Sequence, residues 1–150
     1  MTDIRVQGLL EHSNAVVITL GATAGGGVQL SGGHLVYAGA PADACRLSLG
    51  PGSGDFVITG NYFDKNGPGP AVVLATARGK FADNHFLADA ACAGPMVAVA
   101  VASQALTFGG NECRANGSAM TALVQLLSGV GGAPANGVYK GNNVYGSHPR

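Results

Sequence analysis

The chain has 150 residues, a length that suits one domain with its own core. Eight Lys and Arg offset eight Asp and Glu, so the sequence lacks the basic patch that a nucleic-acid partner requires. Gly supplies 25 residues and Trp none; 47% of the chain is hydrophobic, much of it Ala and Val, and only 11% is charged, a composition suited to narrow, closely stacked turns of chain and to association.

The first residues, MTDIRVQGLLEHSNAVVITLG, contain no basic segment followed by a long apolar run, so they do not read as a secretory signal, and no run is long enough to span a membrane. That leaves a chain that stays inside, one exported by a route not legible here, or a mature product. Ile4–Leu10 reads as a first, irregular coil, within a possible cap over residues 1–14, because Ala15–Leu20 already reads as a strand.

From there one short pattern recurs. Gln29–Leu35 (QLSGGHL) is centred on Gly33, Gly54–Phe63 (GDFVITGNYF) on Asn61, Lys80–Phe86 (KFADNHF) on Asn84, Thr107–Cys113 (TFGGNEC) on Asn111 and Tyr139–Val144 (YKGNNV) on Asn142. The centres are 28, 23, 27 and 31 residues apart. A loose period in the twenties around a fixed polar residue is the sequence form of a stacked repeat. The repeat runs through one domain, residues 1–150, with 146–150 as a tail.

Three residues before each centre stand Leu30, Ile58, Phe81, Phe108 and Tyr139; two after stand Leu35, Phe63, Phe86, Cys113 and Val144. In one straight strand these positions face opposite sides. Both sets enter one core only if the chain slips phase between them. Gly and Asn tolerate the bent or left-handed backbone that this requires. Gly32, Gly60, Gly110 and Gly141 precede the centre in four copies, and Asp83 in the remaining one. An Asn amide at the bend carries donor and acceptor together, so a stacked row satisfies itself where a lone buried amide is costly.

Between bends lie second apolar segments: Val16–Leu20, Cys45–Leu49, Ala71–Ala75, Met96–Ala102 and Ala122–Leu127. Each coil therefore has at least two strands, joined by Gly, Pro and Asn connections such as Asn66–Pro70 and Gly129–Gly137. Ala119–Leu127 is open to a helical reading, but it falls where the other coils have a strand. The later segments are apolar on both alternations, so Val97, Ala98, Val99, Ala100, Val101 and Ala102 are expected to form an association flank covered by a second subunit.

The Asn row resembles the bend ladder of the right-handed parallel β-helix, the pectin-lyase-like group, over roughly Gly27 to Tyr145. The resemblance implies an all-β chain, a right-handed parallel β-helix or β-solenoid of about five to six short coils. That group includes polysaccharide lyases and hydrolases, phage tailspikes and non-catalytic surface proteins.

The residue after each centre is expected to point outward, stacking His34, Tyr62, His85, Glu112 and Asn143 in a column about 4.8 Å per step. Such a column suits sugar hydroxyls and ring faces, or is a solvated edge. The acids Asp3, Glu11, Asp43, Asp55, Asp64, Asp83, Asp89 and Glu112 occupy different coil positions and do not carry over the paired carboxylates of glycan hydrolases or the calcium cluster of lyases. Asp64 and Arg114 share one position with Leu87 between them. Cys45, Cys92 and Cys113 lack metal spacing, and Cys113 reads as a core residue. His12, His34, His85 and His148 show no ligand spacing. The Gly25–Gly27 run lacks the Lys and Ser/Thr of a phosphate loop. No catalytic residue, cofactor or metal is expected. The sequence points to a non-catalytic structural module that self-associates into a fibre, sheath or trimeric spike, outside the cell or on a particle. The alternative is a glycan-binding or glycan-degrading domain.

Overall fold

The computed structural model describes residues 4–8, 10–13, 18–20, 27–38, 47–49, 55–66, 70–74, 78–89, 95–99, 106–116, 123–126 and 138–146. Among them the fold is all-β, and the strands come in threes. The first three are β1 (Ile4–Gln7), β2 (Leu10–Ser13) and β3 (Ile18–Leu20). Next come β4 (Val28–Ser31), β5 (His34–Ala38) and β6 (Leu47–Leu49), then β7 (Asp55–Thr59), β8 (Tyr62–Asn66) and β9 (Val72–Leu74). They are followed by β10 (Arg78–Ala82), β11 (His85–Ala88) and β12 (Val97–Val99), and by β13 (Leu106–Gly109), β14 (Glu112–Ala115) and β15 (Val124–Leu126). The last two are β16 (Val138–Lys140) and β17 (Asn143–Gly146).

Each strand pairs in parallel with the strand three places away in sequence order, the interior strands on both sides and the end strands on one, which gives three sheets. Sheet one runs β1-β4-β7-β10-β13-β16, sheet two β2-β5-β8-β11-β14-β17 and sheet three β3-β6-β9-β12-β15. Successive sequence repeats thus lie side by side, residue over equivalent residue. The bend splits what reads as one repeat unit into two strands of different sheets, and the second apolar segment forms the third.

The phase slip at the bend does what the sequence requires of it. Leu30, Ile58, Phe81 and Phe108 before the bend and Leu35, Phe63, Phe86 and Cys113 after it are all buried. Side chains of one column stack: Phe81 and Phe108 lie 5.2 Å apart at 1°, and Phe63 and Phe86 5.1 Å apart at 15°. Offset aromatic stacks of this spacing add to the area they bury. Where the column calls for a small residue, Gly79 leaves room for the Phe56 ring opposite it; a methyl group there would land on that ring. Val72 and Leu74 of β9 and Val97 and Val99 of β12, on sheet three, belong to the same buried core.

Four expectations need correction. Ile4–Leu10 is not irregular: β1 registers on β4, β2 on β5, and Gly8 between them has the positive φ of the later bends. Val144, expected inside, is 45% exposed on β17, which among the described residues is the end strand of its sheet. β17 also takes in Gly146, the first residue of the expected tail. In the described part of the expected flank, Val97 and Val99 are 0% and Ala98 4% exposed, so these three are covered within the single chain. Ala100, Val101 and Ala102 lie outside the described residues. A further departure is Lys65, fully buried at a position that Ala88 and Ala115 fill in the following layers.

Candidate functional site

The outer face of sheet two takes its shape from the bend beside it. Gly32, Gly60, Gly110 and Gly141 have φ of 63°, 66°, 67° and 65°, and Asp83 has 56°. Glycine meets no penalty in this region, and Asp is among the few other residues that enter it readily. The following residue, the centre of each repeat, turns its side chain inward. Asn61, Asn84 and Asn111 are 0% exposed, and Gly33 is buried in the same row.

These amides form a directional hydrogen-bond ladder. Gly33 N–H donates to Asn61 Oδ1 (2.9 Å), Asn61 N–H to Asn84 Oδ1 (3.0 Å), Asn84 N–H to Asn111 Oδ1 (3.1 Å) and Asn111 N–H to Asn142 Oδ1 (3.1 Å). The Nδ2 groups of Asn61, Asn84 and Asn111 donate to the same oxygens at 2.9–3.0 Å. They also donate to carbonyls of their own layer and the layer before, as Asn84 does to Ala82 (2.9 Å) and Ile58 (3.0 Å). In return, the residue after each bend donates its N–H to the preceding centre's carbonyl: Tyr62 to Gly33, His85 to Asn61, Glu112 to Asn84, Asn143 to Asn111. Every polar atom of the interior amides is thereby used, which is how a buried row avoids its desolvation cost.

Those same donations fix the residue after the bend, so its side chain projects outward in register. His34 lies opposite Tyr62, Tyr62 opposite His85, His85 opposite Glu112 and Glu112 opposite Asn143. The structure therefore brings all five expected column residues together, four exposed and Tyr62 half-buried. Neighbours interact in pairs. The His34 ring meets the Tyr62 ring edge-on at 4.7 Å, and His85 Nδ1 lies 3.4 Å from Glu112 Oε2. Two residues further along each strand runs a second outward column, Val36, Asp64, Leu87, Arg114 and Tyr145, again in register. Between the two columns is a hollow of about 340 Å³ lined by Tyr62, His85, Phe86, Glu112, Arg114 and Tyr145.

The electrostatics of the hollow are mixed. The Tyr62 phenol is raised above its ordinary value of 10.0, first by burial and then by the Asp64 and Asp89 carboxylates, while Arg114 pulls it back. The phenol therefore stays protonated, a donor as well as an acceptor, through the neutral range. Sequence reasoning placed Asp64 and Arg114 in one column but missed that Tyr145 joins them; its recurring offset of three from Asn142 was the available signal. It also missed the exposed pair Arg78 Nε–Asp55 Oδ1 (2.8 Å). A second hollow of about 470 Å³ on sheet one, flanked by Lys80 and Lys140 and floored by Ala82 and Gly109, was likewise not anticipated.

Of the other expected residues, Cys113 is buried in the core as read, and Cys45, Cys92, His148, Asp3 and Asp43 lie outside the described residues. Glu11 and His12 lie on β2. Among the described residues no three His, Cys, Asp or Glu side chains group to hold a metal ion, and no helix is long and apolar enough to cross a membrane. No family model, curated protein or solved structure matches the chain.

Proposed function

We propose that the chain is a right-handed parallel β-helical module of five to six coils that binds a glycan on the outer face of sheet two. The architecture is supported by parallel pairing between strands three places apart in sequence order and by the Asn ladder at one bend. The binding reading is carried by one observation, the hollow lined by Tyr62, His85, Glu112, Arg114 and Tyr145. A sugar ring has an apolar face and a rim of hydroxyls. Tyrosine offers an aromatic face with a polar tip, and the adjacent carboxylate and guanidinium offer strong, charge-assisted bonds to neighbouring hydroxyls. The parallel register extends this chemistry from His34 to Asn143, so the occupant is a chain of sugars rather than a single ring. Association through the β12 flank has less support, since those strand residues are already covered within the chain.

The test is retention of the purified chain on a broad glycan array, followed by affinity electrophoresis on the polysaccharides that score. Tyr62→Ala and Tyr145→Ala are expected to weaken retention about tenfold each, equivalent to ~1.4 kcal/mol, without moving the melting temperature. Absence of binding by the parent chain removes the proposal and leaves the column as a solvated edge. Release of new reducing ends from a bound polysaccharide would instead move the site from binding to cleavage.

A further inference from the structure

The hollow on sheet one is separate from the sheet-two face, and its shape follows from the register. On the outer face of β10, β13 and β16 stand Lys80, Thr107 and Val138 in one column and Ala82, Gly109 and Lys140 in the next. Gly109, in the middle of its column, has no side chain and leaves the floor open, while Lys80 and Lys140 occupy diagonal corners. Two layer steps and two residues of strand put their Cα atoms about 12 Å apart, a span that two flexible four-carbon stems can close on one group. Ala82 is only 4% exposed although its column faces outward, so its neighbours stand over it. Among the described residues neither ammonium is in an ion pair, whereas Arg78 on the same strand as Lys80 is held by Asp55. At the bend rim lies Asp83, with positive φ where the other layers have Gly8, Gly32, Gly60, Gly110 and Gly141. Its carboxylate fits because Gly110 beside it has no side chain; a methyl group there would fall on Asp83 Oδ1.

We infer that this hollow binds a sugar-sized, hydroxylated molecule through a phosphate or sulfate ester. Two ammonium groups converging from opposite corners, with the Thr107 hydroxyl on the strand between them, complement a compact anion. Lysine meets an anion as a point charge, and the hollow has no arginine fork to grip a planar carboxylate in two places, so a tetrahedral oxyanion suits it better. The volume of about 470 Å³ is that of a site for a small organic molecule and exceeds what a bare oxyanion fills. The Asp83 carboxylate repels the charged end of such a ligand and accepts from its hydroxyls. It therefore sets the orientation: ester between the lysines, hydroxyls toward the bend.

An amide-resolved NMR titration of the purified chain tests this, with glucose-6-phosphate, glucose-6-sulfate, glucuronate, glucose and inorganic phosphate as probes, each up to about 20 mM. The expected result is saturable movement of the Gly109 and Gly110 amides with one or both esters, the tighter of the two naming the ester, and binding at least about tenfold weaker for the other three probes. Lys80→Gln and Lys140→Gln, both at exposed positions, are each expected to weaken ester binding about tenfold with an unchanged melt. Arg5→Gln, which removes an exposed cation from sheet one outside the hollow, is expected to leave it as in the parent. Asp83→Gly, which restores the residue of the other bends, is expected to narrow the margin between glucose-6-phosphate and inorganic phosphate. No movement with either ester overturns the inference, as does movement centred on the His85 amide of sheet two. Equal binding of glucuronate or of glucose overturns it too, and so does an equal loss in Arg5→Gln, which would mark diffuse attraction to positive charge. Should a lysine variant fail to fold, the position of the shifts in the parent and the ranking of the probes decide alone.

Discussion

Asn84 and Asn142 are the same residue at the same kind of bend, yet they stand in different surroundings. Asn84 has a layer on each side, is fully buried, and has its amide, N–H and carbonyl all bonded. Among the described residues, Asn142 has a layer on one side only and a single bond from its Nδ2, and it is half-buried. The difference teaches that the ladder's strength belongs to the stack. An amide in this row is stabilising because the next layer supplies the group it needs, so its value is set by position along the stack and not by residue type.

Removing the middle amide is the severest way to break that comparison. Asn84→Ala leaves the Asn61 N–H and the Ala82 and Ile58 carbonyls without their partner, all in a dry interior. At about 1–3 kcal/mol for each buried group left unpaired, with partial relaxation, the expected loss is about 2–4 kcal/mol in a urea melt. A midpoint equal to the parent's would show the row to be ornamental.

The bend glycines sharpen the same contrast between crowded and open positions. Gly110→Ala adds a methyl group onto Asp83 Oδ1 at a φ of 67°, so backbone strain and a clash add to about 2–3 kcal/mol. Gly60→Ala meets nothing within 4 Å and carries the strain of about 1–2 kcal/mol alone. Equal losses at the two positions would mean that Asp83 gives way freely. Asn142→Ala ranks below both, at about 1 kcal/mol or less, because water reaches the groups it abandons.

The bend row was legible because its constraints are local and repeat: a residue that tolerates positive φ, an amide next to it, and apolar residues at fixed offsets on either side. The first layer was harder to read because Glu11 registers with Leu35, a position that is apolar in the next layers, and only Gly8 betrays the phase. Division of each repeat between two sheets was hidden because a bend that keeps both flanks apolar looks, in sequence, like one interrupted strand. The outward column was legible from register. The hollow was not, since it needs the second column and Tyr145 two residues away, and sequence does not say how Tyr62 and Arg114 lean. Val97, Ala98 and Val99 were expected to meet a second subunit and are instead covered within the chain, because an apolar run in sequence cannot distinguish cover by the same chain from cover by another.

The smallest expected effect concerns Tyr62. Its raised value means that the unfolded chain ionises this phenol first as pH climbs past about 10. The contribution is therefore fully present below that pH and is lost as pH rises through the folded value. In a spectrophotometric titration, subtracting the Tyr62→Phe variant isolates this phenol, which is expected to ionise above 10. Arg114→Gln should raise it further and Asp64→Asn should bring it down. A Tyr62 signal at or below 10 would mean that the hollow is wetter than its lining suggests.

The central claim is that successive layers are held by amides bonding across them, and residue-resolved hydrogen exchange tests it most directly. The N–H groups of Asn61, Asn84 and Asn111 sit at bends, outside the strands, and their bonds run to side-chain oxygens. They are predicted to exchange as slowly as the neighbouring strand amides of Ile58 and Phe86, and Asn84→Ala is predicted to release Asn61 in particular. Exchange of all three at the rate of an exposed turn, with the strands still protected, would contradict the ladder and the account built on it.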